Sequence, residues 1–158
     1  MTNPSYHLAQ LNIARLVAPI DSPVLADFVA LLDEINQLAD QSPGFVWRLQ
    51  SSDGNATSIR PFDDDHILVN MSVWQSIEQI RAYVYKSAHS AVMRRRREWF
   101  EPMKNGYMVL WWVPSGHVPT VAEAKERLEI LRTHSDTAAA FTFKHPFAAP
   151  EPTAVFQG

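Results

Sequence analysis

At 158 residues, with 46% hydrophobic and 20% charged residues, the chain has the size and composition of one globular domain. A domain of this length buries about 70% of its unfolded surface. Its net charge of −3 argues against nucleic-acid binding through charge alone, and the absence of cysteine excludes disulfides, thiolate metal sites, cysteine nucleophiles and covalent c-type haem attachment. The N-terminus M-T-N-P-S-Y-H shows no charged leader followed by an apolar run, and no stretch reaches ~18 apolar residues. A cytoplasmic protein with no membrane span is the resulting expectation.

Residues 6–16 alternate as a strand should, with Ala9, Leu11 and Ile13 on one face and Leu8, Gln10 and Asn12 on the other. Ser22-Pro23 opens a helix: the hydroxyl accepts an orphan N–H, and proline loses nothing at the first helical position. Apolar residues then recur at helical spacing from Val24 to Leu38, until Pro43-Gly44 ends the run. Phe45 to Gln50 reads as a second strand, with Phe45, Trp47 and Leu49 alternating against Val46, Arg48 and Gln50.

Residues 51–65 hold Asp53-Gly54, Pro61 and three successive aspartates, which resist regular pairing. A third strand follows from His66 to Val73, and Ser76 with Gln79 forms a capping box for a long amphipathic helical region reaching towards Phe100. Tyr107 to Val113 is a fourth strand, apolar on both faces and therefore expected to be covered on both. Thr120 with Glu123 opens a C-terminal helix to about His134, and Phe141–Phe143 suits a short closing strand. Residues 1–145 are thus read as a single domain and 146–158 as an extended tail rich in proline and alanine.

The order β-α-β-β-α-β plus a C-terminal helix is the ferredoxin-like α+β arrangement, an antiparallel sheet with two helices on one face. The other face carries large apolar residues. If bare, it calls for a second copy, so a homodimer is expected.

The stretch S-V-W-Q-S-I-E-Q-I-R-A-Y-V-Y-K-S-A-H-S-A-V-M-R-R-R-R-E-W-F, followed by Y-M-V-L-W-W-V-P-S-G-H-V-P-T-V-A-E-A-K-E-R-L, resembles the bacterial family of unknown function 3291 (DUF3291). So do H-L-A-Q-L-N-I-A-R-L, S-P-G-F-V-W-R-L-Q and D-G-N-A-T, and the likeness spans residues 6–145. The family is placed with the dimeric α/β barrels, a superfamily that includes antibiotic-biosynthesis-type monooxygenases, haem-degrading enzymes, chlorite dismutases and dye-decolourising peroxidases. Several of these hold haem through a histidine on the helix facing the sheet. What the resemblance implies is a monooxygenase-like or haem-dependent enzyme acting on a small aromatic or apolar molecule. Fold-level likeness is a weak warrant for function, so a non-enzymatic ligand-binding or structural dimer stands beside it.

His89 falls on the apolar side of the long helical region, with Tyr85, Val92, Met93, Arg96 and Phe100 on the same side by spacing. A neutral imidazole there suits haem iron; equally, it can pack in the core with its ring hydrogen-bonded. Arg96 is the arginine of Arg94–Arg97 placed to grip a haem propionate or a substrate carboxylate, and the competing reading pairs these arginines with Glu98, Glu101 or Asp63–Asp65. Asn70 is a polar side chain in an apolar strand, as are Gln10, Asn12 and Arg48, and such groups orient a ligand in an apolar pocket or bond across an interface. Trp47, Trp112 and Tyr85 complete the expected cofactor-binding set, while Trp111 and Trp112 must point to opposite faces. No H-E-x-x-H, P-loop, G-x-G-x-x-G or G-x-S-x-G occurs, so protein-only metal, nucleotide and triad-hydrolase chemistries lack support.

Overall fold

The computed structural model describes residues 5–50, 66–84, 94–102 and 107–150. β1 (Tyr6–Leu16) is the central strand, and its alternating pattern buries both faces. A 3-10 turn at Pro23–Leu25 leads into α1 (Ala26–Asp40), with the Ser22 hydroxyl accepting from the Val24 amide. β2 (Phe45–Arg48) and β3 (Ile67–Trp74) follow, then α2 (Ile77–Val84). A single helical turn, α3 (Arg96–Trp99), runs into the two-residue β4 (Phe100–Glu101). β5 (Met108–Pro114) and α4 (Val121–His134) close the sequence of regular elements.

All strand pairings are antiparallel, and the sheet order is β2-β3-β1-β5, with β4 pairing the same edge of β1 at Arg15 and Leu16. That is the ferredoxin-like α+β order expected from the sequence. The short closing strand is reduced to one residue: Phe141 exchanges both backbone hydrogen bonds with Leu110, at 2.8 and 2.9 Å. Of the expected helical region ending at Phe100, α2 and α3 lie within the described residues; 85–93 lie outside them.

Local chemistry sets the element boundaries. Thr120 Oγ1 accepts from the Glu123 amide at 3.1 Å, and Ser76 Oγ accepts from the Gln79 amide at 3.2 Å, each cap contributing about 1 kcal/mol. Gly44, between α1 and β2, has φ +86°, and its carbonyl accepts from the Gln75 amide at 2.8 Å. A side chain at Gly44 would be strained in backbone and would overlap the side chain of Gln79 on α2.

The two faces of the sheet are covered by different helices. Odd-numbered residues of β1, β3 and β5 form one continuous core with Ala124, Leu128 and Leu131 of α4. Ala9, Val109 and Trp111 on this face are 0% exposed. The face expected to be bare is therefore covered by the chain's own C-terminal helix. The opposite face packs against α1 and α2 in two separate clusters. One gathers Leu8, Trp74, Ile80, Leu110 and Phe141, and the other gathers Leu16, Leu25, Phe28 and Trp99.

β2 also departs from simple alternation. A bulge between Phe45 and Trp47 shifts the register, so Phe45 lies opposite Trp74 and Trp47 lies opposite Val73. Phe45 joins the α1/α2 side, and Trp47 with Leu49 joins the α4 side. Phe45 and Trp47, expected on one face, stand on opposite ones.

Candidate functional site

Between the two apolar clusters on the α1/α2 face runs a strip of polar side chains. Its origin is strand parity: Gln10 and Asn12 share the face of Leu8, and register places Gln10 opposite Ser72 and Asn12 opposite Asn70. Gln10 Nε2 donates to Asn70 Oδ1 at 2.6 Å and to Ser72 Oγ at 3.0 Å. Trp74 Nε1 donates to the same Ser72 oxygen at 2.8 Å. An indole nitrogen can only donate, so Ser72 is held as acceptor by two donors, and Gln10 uses both amide hydrogens.

The strip has a closed end and an open end. Gln10 and Ser72 are each 7% exposed, Asn12 is half-buried and Asn70 is exposed. With its Oδ1 occupied by Gln10, Asn70 presents N–H donors. Asn12 has no side-chain hydrogen bond among the described residues and presents both donor and acceptor.

Aromatic rings brace the closed end. Trp74 stacks on Tyr83 of α2 with ring centroids 5.1 Å apart, and meets Phe45 edge-on at 5.5 Å. Tyr83 OH donates to the Ile35 carbonyl at 3.4 Å. Burial pushes its phenol up to about 12, against the pull of the Arg48 cation and with a push from Asp40. Arg48, opposite Ser72 on β2, donates from Nε to Asp40 Oδ1 at 2.8 Å. The other side of the strip is bounded by Trp99, Phe28 and Phe100, with Phe28 and Trp99 centroids 5.4 Å apart.

The structure brings together Asn70, Gln10 and Asn12, and places Arg48 beside them in the register. Trp112 is on the same face, beside Leu8, with its Nε1 donating to the Phe147 carbonyl at 2.8 Å. Trp47 is not part of this constellation, because the bulge sends it to the α4 side. Arg96 is exposed on α3, and it is the neighbouring Arg95 that pairs with Glu98 and Asp27 and lies 4.7 Å over the Trp99 ring. His89 and Tyr85 lie outside the described residues.

The members of the haem set that are described do not converge. Trp47 and Trp112 occupy opposite faces, and α3 with Arg96 adjoins the Leu16 end of β1 while Trp112 adjoins Leu8, roughly 26 Å away along the strand. Among the described residues no group of three or more His, Cys, Asp or Glu side chains is placed to hold a metal ion. No helix of the described residues is long and apolar enough to cross a membrane.

Sequence reasoning missed Ser72 and Tyr83 and gave Trp74 no particular role. Ser72 was detectable, since it follows Asn70 at the two-residue spacing that keeps both on one face. Tyr83 was not, because its role depends on where α2 lands over β3.

Fold and strip together define the class: a ferredoxin-like α+β protein with a hydrogen-bonded amide row set between aromatic clusters on one sheet face. The chain belongs to the family described as a domain of unknown function (DUF3291), whose model matches residues 7–156. No curated protein matches the sequence. Among solved structures it is similar to NE2512, a protein of unknown function from Nitrosomonas europaea, at 11% identity and TM-score 0.46, covering 75% of this chain and 97% of that one. It is similar to SnoaB, a cofactor-independent oxygenase from Streptomyces nogalater, at 16% identity and TM-score 0.43, covering 73% and 96%. A third likeness is PA3566 from Pseudomonas aeruginosa, at 9% identity and TM-score 0.47, covering 74% and 99%. None of the three supplies a residue role here.

Proposed function

We propose that the open end of the amide strip binds a small, mainly apolar or aromatic molecule that carries a ring oxygen, and that the protein acts on it as a monooxygenase-like enzyme without a cofactor. The observation carrying the proposal is the exposed Asn70, its amide oxygen already occupied by Gln10, standing between aromatic clusters on an otherwise apolar sheet face. A donor fixed by neighbours, beside apolar walls, is what holds a ligand oxygen in one orientation.

For a substrate with a CH2 group conjugated to a ring carbonyl, loss of one proton to solvent leaves an enolate, and an Asn70 N–H donates to its oxygen. The carbanionic carbon then gives its electron pair to dioxygen, forming a C–O bond. The O–O bond breaks, one oxygen stays as a new carbonyl, and the other leaves as water with the two protons of the former CH2. The polar strip itself contains no carboxylate or imidazole, which favours a ligand-binding protein without chemistry as the second reading.

Binding of 1-naphthol followed by tryptophan fluorescence, and oxygen uptake with anthrone, test both parts. We expect Asn70→Ala to weaken naphthol binding about tenfold, the loss of one hydrogen bond to a ligand that is not otherwise held in register. Oxygen uptake slowed in parallel supports the enzyme. Naphthol binding without uptake leaves the ligand-binding protein, and absence of binding overturns both readings.

A further inference from the structure

We infer, building on the binding site proposed above, that Gln10 sets its specificity: by holding the Asn70 amide oxygen inward, it makes the site select a ring carbonyl and turn away a ring N–H. Cross-strand geometry comes first. Gln10 stands directly opposite Ser72 on β3, and Asn70 is the diagonal neighbour two residues back on the same face. A glutamine side chain is long enough to meet both. One atom of it, Nε2, lies 3.0 Å from Ser72 Oγ and 2.6 Å from Asn70 Oδ1.

The row has a direction. The Trp74 indole nitrogen can only donate, and it donates to Ser72 Oγ at 2.8 Å. Ser72 accepts a second bond from Gln10, and the remaining Gln10 hydrogen goes to Asn70. Turning Asn70 alone would bring its NH2 group against that of Gln10, donor against donor. Turning Gln10 with it would reverse an amide that is 7% exposed and held between two strands. Asn70 therefore meets a ligand with N–H groups.

An unheld asparagine would show no such preference, since its amide turns to offer either a donor or an acceptor. With the oxygen occupied, a ligand carbonyl gains a hydrogen bond. A ligand N–H meets another N–H and is left unpaired, which is discrimination by repulsion as well as by attraction. Gln10 touches no ligand in this account. It is a positioning residue, acting through Asn70.

Calorimetric titrations of the full chain with 1-indanone, indane and indole test this, the three bicyclic frames carrying a carbonyl, neither group, or an N–H. We expect indanone to bind about tenfold more tightly than indane, the worth of one hydrogen bond, and indole no more tightly than indane. Gln10→Met keeps the length of the side chain without its amide and frees Asn70 to turn, so indole should gain about fivefold on indane. A merely structural role for Gln10 would weaken all three compounds alike. Gln10→Leu serves the same comparison if the methionine variant does not fold. Indole binding as tightly as indanone to the unmodified protein, both ahead of indane, overturns the role of Gln10 and leaves the site standing. So does an unchanged order of the three in the variant. Indanone binding no more tightly than indane, or no binding at all, overturns the role of Gln10 together with the site.

Discussion

The two faces of the sheet are built from alternate residues of the same strands, yet they are finished differently. Under α4, Ala9, Leu11, Ile13, Val69, Met71 and Val73 are all 3% exposed or less and all apolar. On the α1/α2 side, the residues between them in β1 and β3 include Gln10, Asn12, Asn70 and Ser72. A fold needs one dry face to hold the sheet together, and the α4 side supplies it. Folding alone does not call for an amide row on the other face, since an unpaired buried amide costs about 1–3 kcal/mol and apolar residues there would pack without it. The contrast fits stability residing on one face and the proposed recognition on the other.

The sharpest way to break this division is to damage the dry face. Trp111 is 0% exposed, and Trp111→Ala is expected to cost about 3–5 kcal/mol in chemical denaturation. A loss below about 1 kcal/mol would remove that face as the stabilising one. Next in size is Ser72→Ala, which strips the acceptor from both the Trp74 indole and Gln10 and should cost about 2 kcal/mol. It should also weaken naphthol binding, because Gln10 then loses one of the two bonds that fix the amide holding Asn70.

A smaller effect is expected at Glu123. Burial raises its carboxyl, but hydrogen bonds from His117 at 2.7 Å and from Trp111 at 2.9 Å outweigh that and hold it below its ordinary value. A depressed folded-state pKa contributes stability above the ordinary value of 4.5, and that stability is lost as pH falls through the folded-state value. The stability difference between the unmodified protein and Glu123→Gln should therefore shrink as pH falls below 4.5, and a difference independent of pH would contradict the assignment. At the other end of the scale, the Tyr83 phenol should resist ionisation until about pH 12 in an ultraviolet absorbance titration. Its raised value stabilises the fold below about pH 10, and that contribution is lost as pH rises towards 12. Titration of all four tyrosines near pH 10 would contradict its burial against Trp74. The smallest change in stability is expected for Asn70→Ala, about 1 kcal/mol, since it removes one acceptor of the buried Gln10 amide at an exposed position where water takes its place.

Much of this division can be read from the chain. The two-residue alternation in β1 separates Ala9, Leu11 and Ile13 from Gln10 and Asn12, and the capping box at Thr120 and Glu123 starts α4 where it is observed. What alternation cannot show is a bulge. One extra residue in β2 carries Trp47 to the far face, and nothing in F-V-W-R marks it. Nor does sequence order say which face a C-terminal helix covers. α4 has a narrow apolar stripe of Ala124, Leu128 and Leu131, and only its packing on Trp111 and its neighbours shows which face it covers. At the site, Asn70, Asn12 and Gln10 stand out as amides in apolar strands. At the closed end, Ser72 is legible from its two-residue spacing to Asn70, whereas Tyr83 acquires its role only from where α2 lands over β3.

The most direct test of the division follows the side-chain amide of Asn70 and the indole N–H of Trp111 by nuclear magnetic resonance as 1-naphthol is added. The predicted result is a saturable shift at the Asn70 amide with the Trp111 signal unmoved. A shift at Trp111 with Asn70 unmoved would place the ligand on the wrong face and contradict the account.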